Sequence, residues 1–190
     1  MNWQIIDYLK NGTSQQRQAW TTLRRLGLPE RLARYHATLV STVCVGLDIE
    51  SSDLDIICQV EEDQSFETTL RRFFGRQPGF RFHCRSAERR EWVARFRTTG
   101  FPVEIFSAPI AVTRQNAYRH LTVMWRLLHL GGEPLRQAVR DLKHAGFKTE
   151  PAFVRLLGLA GEPYQAFLRL EEQTDGELAD LLEKWRLKSG

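Results

Sequence analysis

Apolar residues recur with different spacings along the chain, and each spacing predicts a different kind of element. From residue 1 to about residue 37 the chain looks helical, with Trp20, Leu23, Leu26 and Leu28 at roughly helical intervals. Thr13 and Gln16 stand ahead of them with the spacing of a capping box, while Gly27 and Pro29 break the pattern before a short helix over 30–35. Between about 38 and 108 the period shortens to that of strands. Residues 37–42 are short and β-branched, and Asp53-Leu-Asp-Ile-Ile-Cys-Gln-Val60 is the strongest strand in the sequence. A helix is predicted from Gln64 to Gly75, with Phe66, Leu70, Phe73 and Phe74 on one side. Strands follow at 80–85, 92–97 and 102–107, and Gly100 supplies the turn before the last. Phe80, Phe82 and Cys84 alternate with Arg81, His83 and Arg85, the period of a half-buried strand.

From Thr113 onward the pattern is helical again. A long helix runs from Gln115 to Leu130 and stops at Gly131-Gly132; Pro134 opens another that Gly146 closes. Glu150-Pro151 and Glu162-Pro163 each begin a short helix. Thr174 and Glu177 make a second capping box ahead of Leu178, Leu181, Leu182 and Trp185. The predicted fold is therefore α/β of the α+β type, a mixed sheet with flanking helices. Residues 1–112 form the core with its N-terminal helix, and 113–190 a helical region packed on it. Phe73-Phe74, Trp20 and Trp125 are expected in the core.

Composition narrows the class. A content of 42% hydrophobic and 26% charged residues is that of a globular chain and speaks against disorder. No stretch reaches the roughly 18–20 apolar residues a membrane span needs, and the first ten residues lack the order of a signal peptide. Cys44, Cys58 and Cys84 form no CxxC pair, so neither a disulfide framework nor a zinc knuckle is expected. The expected location is cytoplasmic. A net charge of +4 suits a polyanionic partner only weakly, because acids interrupt the arginines, as in Glu88-Arg-Arg-Glu91, and no continuous basic stripe is visible. The C-terminal helices offer Arg136, Arg140, Lys143, His144 and Lys148, but Glu133, Asp141 and Glu150 break that track.

The chemistry concentrates in carboxylates. Asp53 and Asp55 are two residues apart at the mouth of an apolar strand, so both point to one face. Aspartate is disfavoured in strands and like charges on one face repel, a penalty that a divalent cation with oxygen ligands removes. Glu104, between Val103 and Ile105, offers a third carboxylate if its strand pairs beside the first. An EF-hand loop is excluded: from Asp48, the glycine required at the sixth position is Asp53, and Gln59 stands where the bidentate glutamate belongs.

Ser41-Thr42 ending a strand, Asp53-x-Asp55 on the next and Glu104 on a later one resemble the signature of the nucleotidyltransferase superfamily, which includes the polymerase-beta-like enzymes. Two longer phrases, Gly46-Leu-Asp-Ile-Glu-Ser-Ser-Asp-Leu-Asp-Ile-Ile-Cys58 and Val103-Glu-Ile-Phe through Thr113-Arg-Gln-Asn-Ala-Tyr-Arg-His120, resemble a bacterial family of unknown function related to these transferases. The likeness extends through Lys148-Thr-Glu-Pro-Ala-Phe153. It implies transfer of a nucleoside monophosphate from a nucleoside triphosphate to a hydroxyl acceptor. Asp53, Asp55 and Glu104 would hold Mg²⁺ or Mn²⁺, and Ser41, Thr42 and Ser52 would meet the nucleotide. Serine replaces the usual glycine at 41, and its Cβ hinders close approach of phosphates. That departure supports an alternative, a catalytically inactive module of the same fold with a binding or regulatory, antitoxin-like role.

Other residues weigh less. Arg114, Arg119 and Lys148 are candidates for the triphosphate but read first as surface or salt-bridge residues, and His120 as a packed or exposed histidine. Asp48 and Glu50 lie in the loop ahead of Asp53. Cys44 has no readable partner for nucleophilic chemistry. A small-molecule or protein acceptor ranks above a nucleic acid.

Overall fold

The computed structural model describes residues 2–189, and the chain is a mixed α/β protein. It divides into two compact units, one of Met1–Cys44 with Ser51–Gln115, the other of Val45–Glu50 with Asn116–Gly190.

The first unit opens with a 3₁₀ turn, Asp7–Asn11, and helix α1, Ser14–Leu26. Thr13 and Gln16 form the expected capping box, Gln16 N–H donating to Thr13 Oγ1 and Thr13 N–H to Gln16 Oε1. Gly27 ends α1 in the left-handed region at φ 58°, where a side chain would be strained, and α2, Leu28–Arg31, follows. The expected strand over 37–42 is only Thr38–Leu39 (β1); Ser41 and Thr42 turn instead into a 3₁₀ segment, Thr42–Val45. β2 is Leu54–Gln59 and α3 is Asp63–Phe74, close to their predicted bounds. β3 (Arg81–Ser86), β4 (Glu91–Arg97) and β5 (Pro102–Ala108) complete a five-stranded sheet of order β1-β2-β5-β4-β3. β3, β4 and β5 form an antiparallel meander, whereas β2 and β5 run parallel.

Strand composition follows position in the sheet. Central β2 buries Leu54, Ile56 and Cys58 on one face and Ile57 on the other, the near-continuous apolar run of a strand covered on both faces. One sheet face carries Phe96, Phe82 and Trp92. On that face α3 lays its apolar side, with Phe74 stacked on Phe96 at 5.4 Å and Phe66 edge-on to Phe82 at 6.5 Å. β3 departs from expectation. It is the edge strand, Cys84 is exposed, Phe80 and Phe82 are half-buried, and a bulge falls between Cys84 and Ser86. Phe73 and Trp20 are likewise half-buried rather than core; Trp20 donates its Nε1–H to Asp7 at 3.3 Å.

The second unit is helical. α4 runs Asn116–His144 but is broken at Gly132 (φ 66°, ψ −160°), so its two arms are the two helices the Gly-Gly and Pro134 signals predict. α5 (Thr149–Leu157), α6 (Pro163–Leu168) and α7 (Asp175–Ser189) follow. Glu162 caps α6 by accepting from the backbone N–H of Tyr164 and Gln165, and Glu177 and Thr174 close the second predicted box. Trp125, expected in the core, is exposed. Among the described residues no helix is long and apolar enough to cross a membrane.

Candidate functional site

The site is built where β1 ends against β2. Val40 N–H donates to the Asp55 carbonyl at 2.8 Å, and Asp55 N–H donates to Ser41 Oγ at 2.6 Å. Ser41 is fully buried, so this hydroxyl acts as an extra rung of the sheet at the point where β1 turns away. Asp55 is therefore fixed by its backbone on the β1 side. On the other side the parallel register with β5 sets Asp55 directly beside Glu104. Paired residues share a face, so the two half-buried carboxylates stand next to each other on the face opposite α3. Asp53 is exposed and stands one residue before β2; Ser52 is half-buried just ahead of it, and Thr42 is half-buried at the start of the 3₁₀ segment.

Glu104 already has a partner. Arg95, its neighbour across β4, donates Nε–H to Glu104 Oε2 at 2.6 Å. Among the described residues no group of three or more His, Cys, Asp or Glu side chains is arranged to hold a metal ion. The structure thus brings Asp55 and Glu104 together, keeps Asp53 nearby in sequence at the strand mouth, and occupies Glu104 with a guanidinium.

Other sequence candidates have structural duties. Cys44 is buried, and burial pushes its thiol up to about 12, with the Tyr8 hydroxyl beside it and itself pushed up by burial. A thiol held neutral in that way is no nucleophile. Gln115 is the residue that the sequence reading missed in the Thr113–His120 phrase: buried, it donates Nε2–H to the carbonyls of Cys58 at 3.0 Å and Ile110 at 3.2 Å, closing the end of β2. Its signal was a polar residue just ahead of a helix start, which alone does not announce such a tie.

In the second unit, Arg119 pairs with Glu171 at 2.6 Å, and buried His120 pairs through Nδ1 with Glu150 at 3.0 Å between Tyr164 and Phe167. The proposed C-terminal basic track is largely engaged internally: Arg136 donates to the Val45 carbonyl, and buried Lys143 to that of Leu47 at 2.6 Å, holding the Val45–Glu50 segment. Lys148 and Arg114 are exposed.

The model of one family, a domain of unknown function (DUF4269), matches residues 21–170. No curated protein and no solved structure matches the chain.

Proposed function

We propose, for a chain that belongs to the DUF4269 family, that it is a metal-dependent nucleotidyltransferase moving a nucleoside monophosphate from a nucleoside triphosphate to a hydroxyl acceptor. The observation that carries this reading is the register Asp55↔Glu104, two carboxylates side by side on adjacent parallel strands with Asp53 at the strand mouth. Two acids so placed repel one another unless a cation lies between them or beside them. Their hard oxygen donors fit Mg²⁺ or Mn²⁺.

In this reading Asp53, Asp55 and Glu104 would be the residues that hold the divalent ion needed for the triphosphate. Such an ion neutralises phosphate charge and lowers the pKa of the acceptor hydroxyl. Ser41 works through Asp55, fixing its backbone so that the carboxylate is pre-oriented. Thr42 and Ser52 supply hydroxyl and backbone donors toward the phosphates. Arg95, paired with Glu104, offsets the repulsion between Asp55 and Glu104 and would compete with an ion for that carboxylate.

The Arg95–Glu104 pair is also the observation that favours a second reading, a binding or regulatory module of this fold that does not turn over. There a permanent guanidinium takes the place of the ion.

Thermal melting with Mg²⁺ or Mn²⁺, with and without each nucleoside triphosphate, separates the two. Binding to the folded state raises the midpoint by mass action. Transfer predicts a metal-dependent rise with a triphosphate, abolished in Asp53→Ala/Asp55→Ala and enlarged in Arg95→Ala, and incorporation of α-labelled nucleotide that the double variant lacks. No rise with any triphosphate in wild type or Arg95→Ala, from a protein that melts cooperatively, overturns transfer in favour of the second reading.

A further inference from the structure

Arginine is not spread evenly along this chain. Residues 76–97 hold seven arginines, no lysine and two glutamates, a net +5 where the whole chain is +4, so the remainder is slightly acidic. In sequence these arginines are separated by apolar and acidic residues and form no stripe. The strand register makes one. Arg81 on β3 stands directly opposite Arg95 on β4, and Arg97 follows two residues along. His83 and Arg85 continue the same face of β3, with the Arg85 guanidinium 5.5 Å from the centre of the Phe106 ring. All five basic side chains are exposed.

Like charges facing each other across a strand pair destabilise it. Arg95 is answered by Glu104, and Arg85 lies 3.9 Å from Glu91, but Arg81 and Arg97 make no ion pair or side-chain hydrogen bond among the described residues. The arrangement leaves two exposed guanidiniums without a protein partner and open to an anion from solution.

We propose that the exposed β3–β4 face is a docking surface for single-stranded nucleic acid, whose phosphates run along Arg81, Arg95 and Arg97. Side chains alternate along a strand so that same-face neighbours are about 7 Å apart, a spacing an extended phosphodiester backbone can follow. Planar guanidiniums in place of lysines favour phosphate, which they engage through two parallel hydrogen bonds. The place of these arginines in the sheet decides against a duplex. β4 is paired on its far side with β5, so these arginines lie on a sheet face and not on a free two-stranded ribbon of the kind that enters a major groove. A single strand laid on a sheet can turn its bases onto rings and guanidinium planes, and Phe106 beneath Arg85 offers both. The proposal stands apart from the metal reading, since phosphate contacts by arginine need no divalent ion.

The test is fluorescence anisotropy of labelled 20-nucleotide RNA and DNA single strands with the full chain, in EDTA, across a salt series. Wild type is expected to bind at least one of them with a dissociation constant on the order of micromolar at low salt. Arg81→Ala/Arg97→Ala should weaken binding about tenfold and flatten the log–log salt slope by about 1.4, two phosphate contacts' worth. Neither side chain has a partner to lose, and Arg81 repels Arg95 across the strand pair, so the melting midpoint should stay or rise and not fall. Arg81→Lys/Arg97→Lys, which keeps the charge, should bind at an intermediate strength. Arg25→Ala/Lys184→Ala, an equal loss of charge elsewhere, should stay within about twofold of wild type. The proposal is overturned by absence of binding to either strand, by an equal loss in the Arg25/Lys184 variant, by tighter binding to a duplex of the same length, or by polyglutamate competing as well as unlabelled oligonucleotide, which would make the partner an acidic protein. Because the assay contains no metal, failure of the transferase reading leaves its outcome unchanged.

Discussion

At Ser41, a hydroxyl that the family resemblance assigns to a phosphate accepts the Asp55 N–H from a fully buried position. The sequence marked this serine as important, through its place before Asp53-x-Asp55, but not for this reason. A buried polar group must find a partner, and only the turn of the chain after Leu39 decides which one. Replacing Ser41 by Ala leaves the Asp55 N–H without its acceptor, and such a loss costs about 1–3 kcal/mol. Urea unfolding of Ser41→Ala should show a lower midpoint with an unchanged m-value, and Asp55 should be the residue whose amide resonance moves most. The carboxylates themselves were legible, because charge at the mouth of an apolar strand is conspicuous. Arg95 as their neighbour was not legible, because cross-strand partners follow from register and not from spacing.

Elements were legible where punctuation is strong. Thr13 with Gln16 and Thr174 with Glu177 announced two helix starts, and Glu162 with Pro163 a third, since each pairs a side-chain acceptor with backbone N–H groups that a helix leaves free. Gly132 announced the break in α4. It sits at φ 66° and ψ −160°, a region that only glycine enters without strain. A Cβ there would meet Pro134 Cδ at an ordinary 3.7 Å, so the cost of Gly132→Ala is in the backbone and not in crowding. Gly132→Ala is expected to lose about 1–3 kcal/mol, read as a lower unfolding midpoint. Alternation placed β3 within a residue of its ends but overstated the burial of Cys84. Period two says that a strand has two unlike faces, but not whether anything lies beyond its edge, and β3 has a neighbour on one side only.

On the scale of the whole chain, burial sets how stability depends on pH at the alkaline end. Cys44 and Cys58 have thiols raised by burial from an ordinary value of 9.0, Cys44 to about 12. The folded state therefore keeps protons that the unfolded state releases, and stability must fall as pH rises. Unfolding free energy measured by urea should be insensitive to these thiols below pH 8 and decline as pH passes about 9 toward 12. Native alkylation near pH 8 should modify Cys84, which is exposed, and spare the other two. Mixed α/β class was readable from the whole chain, whereas the basic face was hidden, because no arginine in it is adjacent to the one it stands beside. The strand order has a further consequence, in time. β3, β4 and β5 follow one another as a meander and can zip from local turns, but the β2–β5 seam joins segments separated by both intervening strands and α3. Contacts of that separation carry the larger loop-closure cost and form late. Asp55 and Glu104 meet on that seam, so the arginine face is expected to form before the carboxylate pair during refolding, an order that pulsed hydrogen exchange would read.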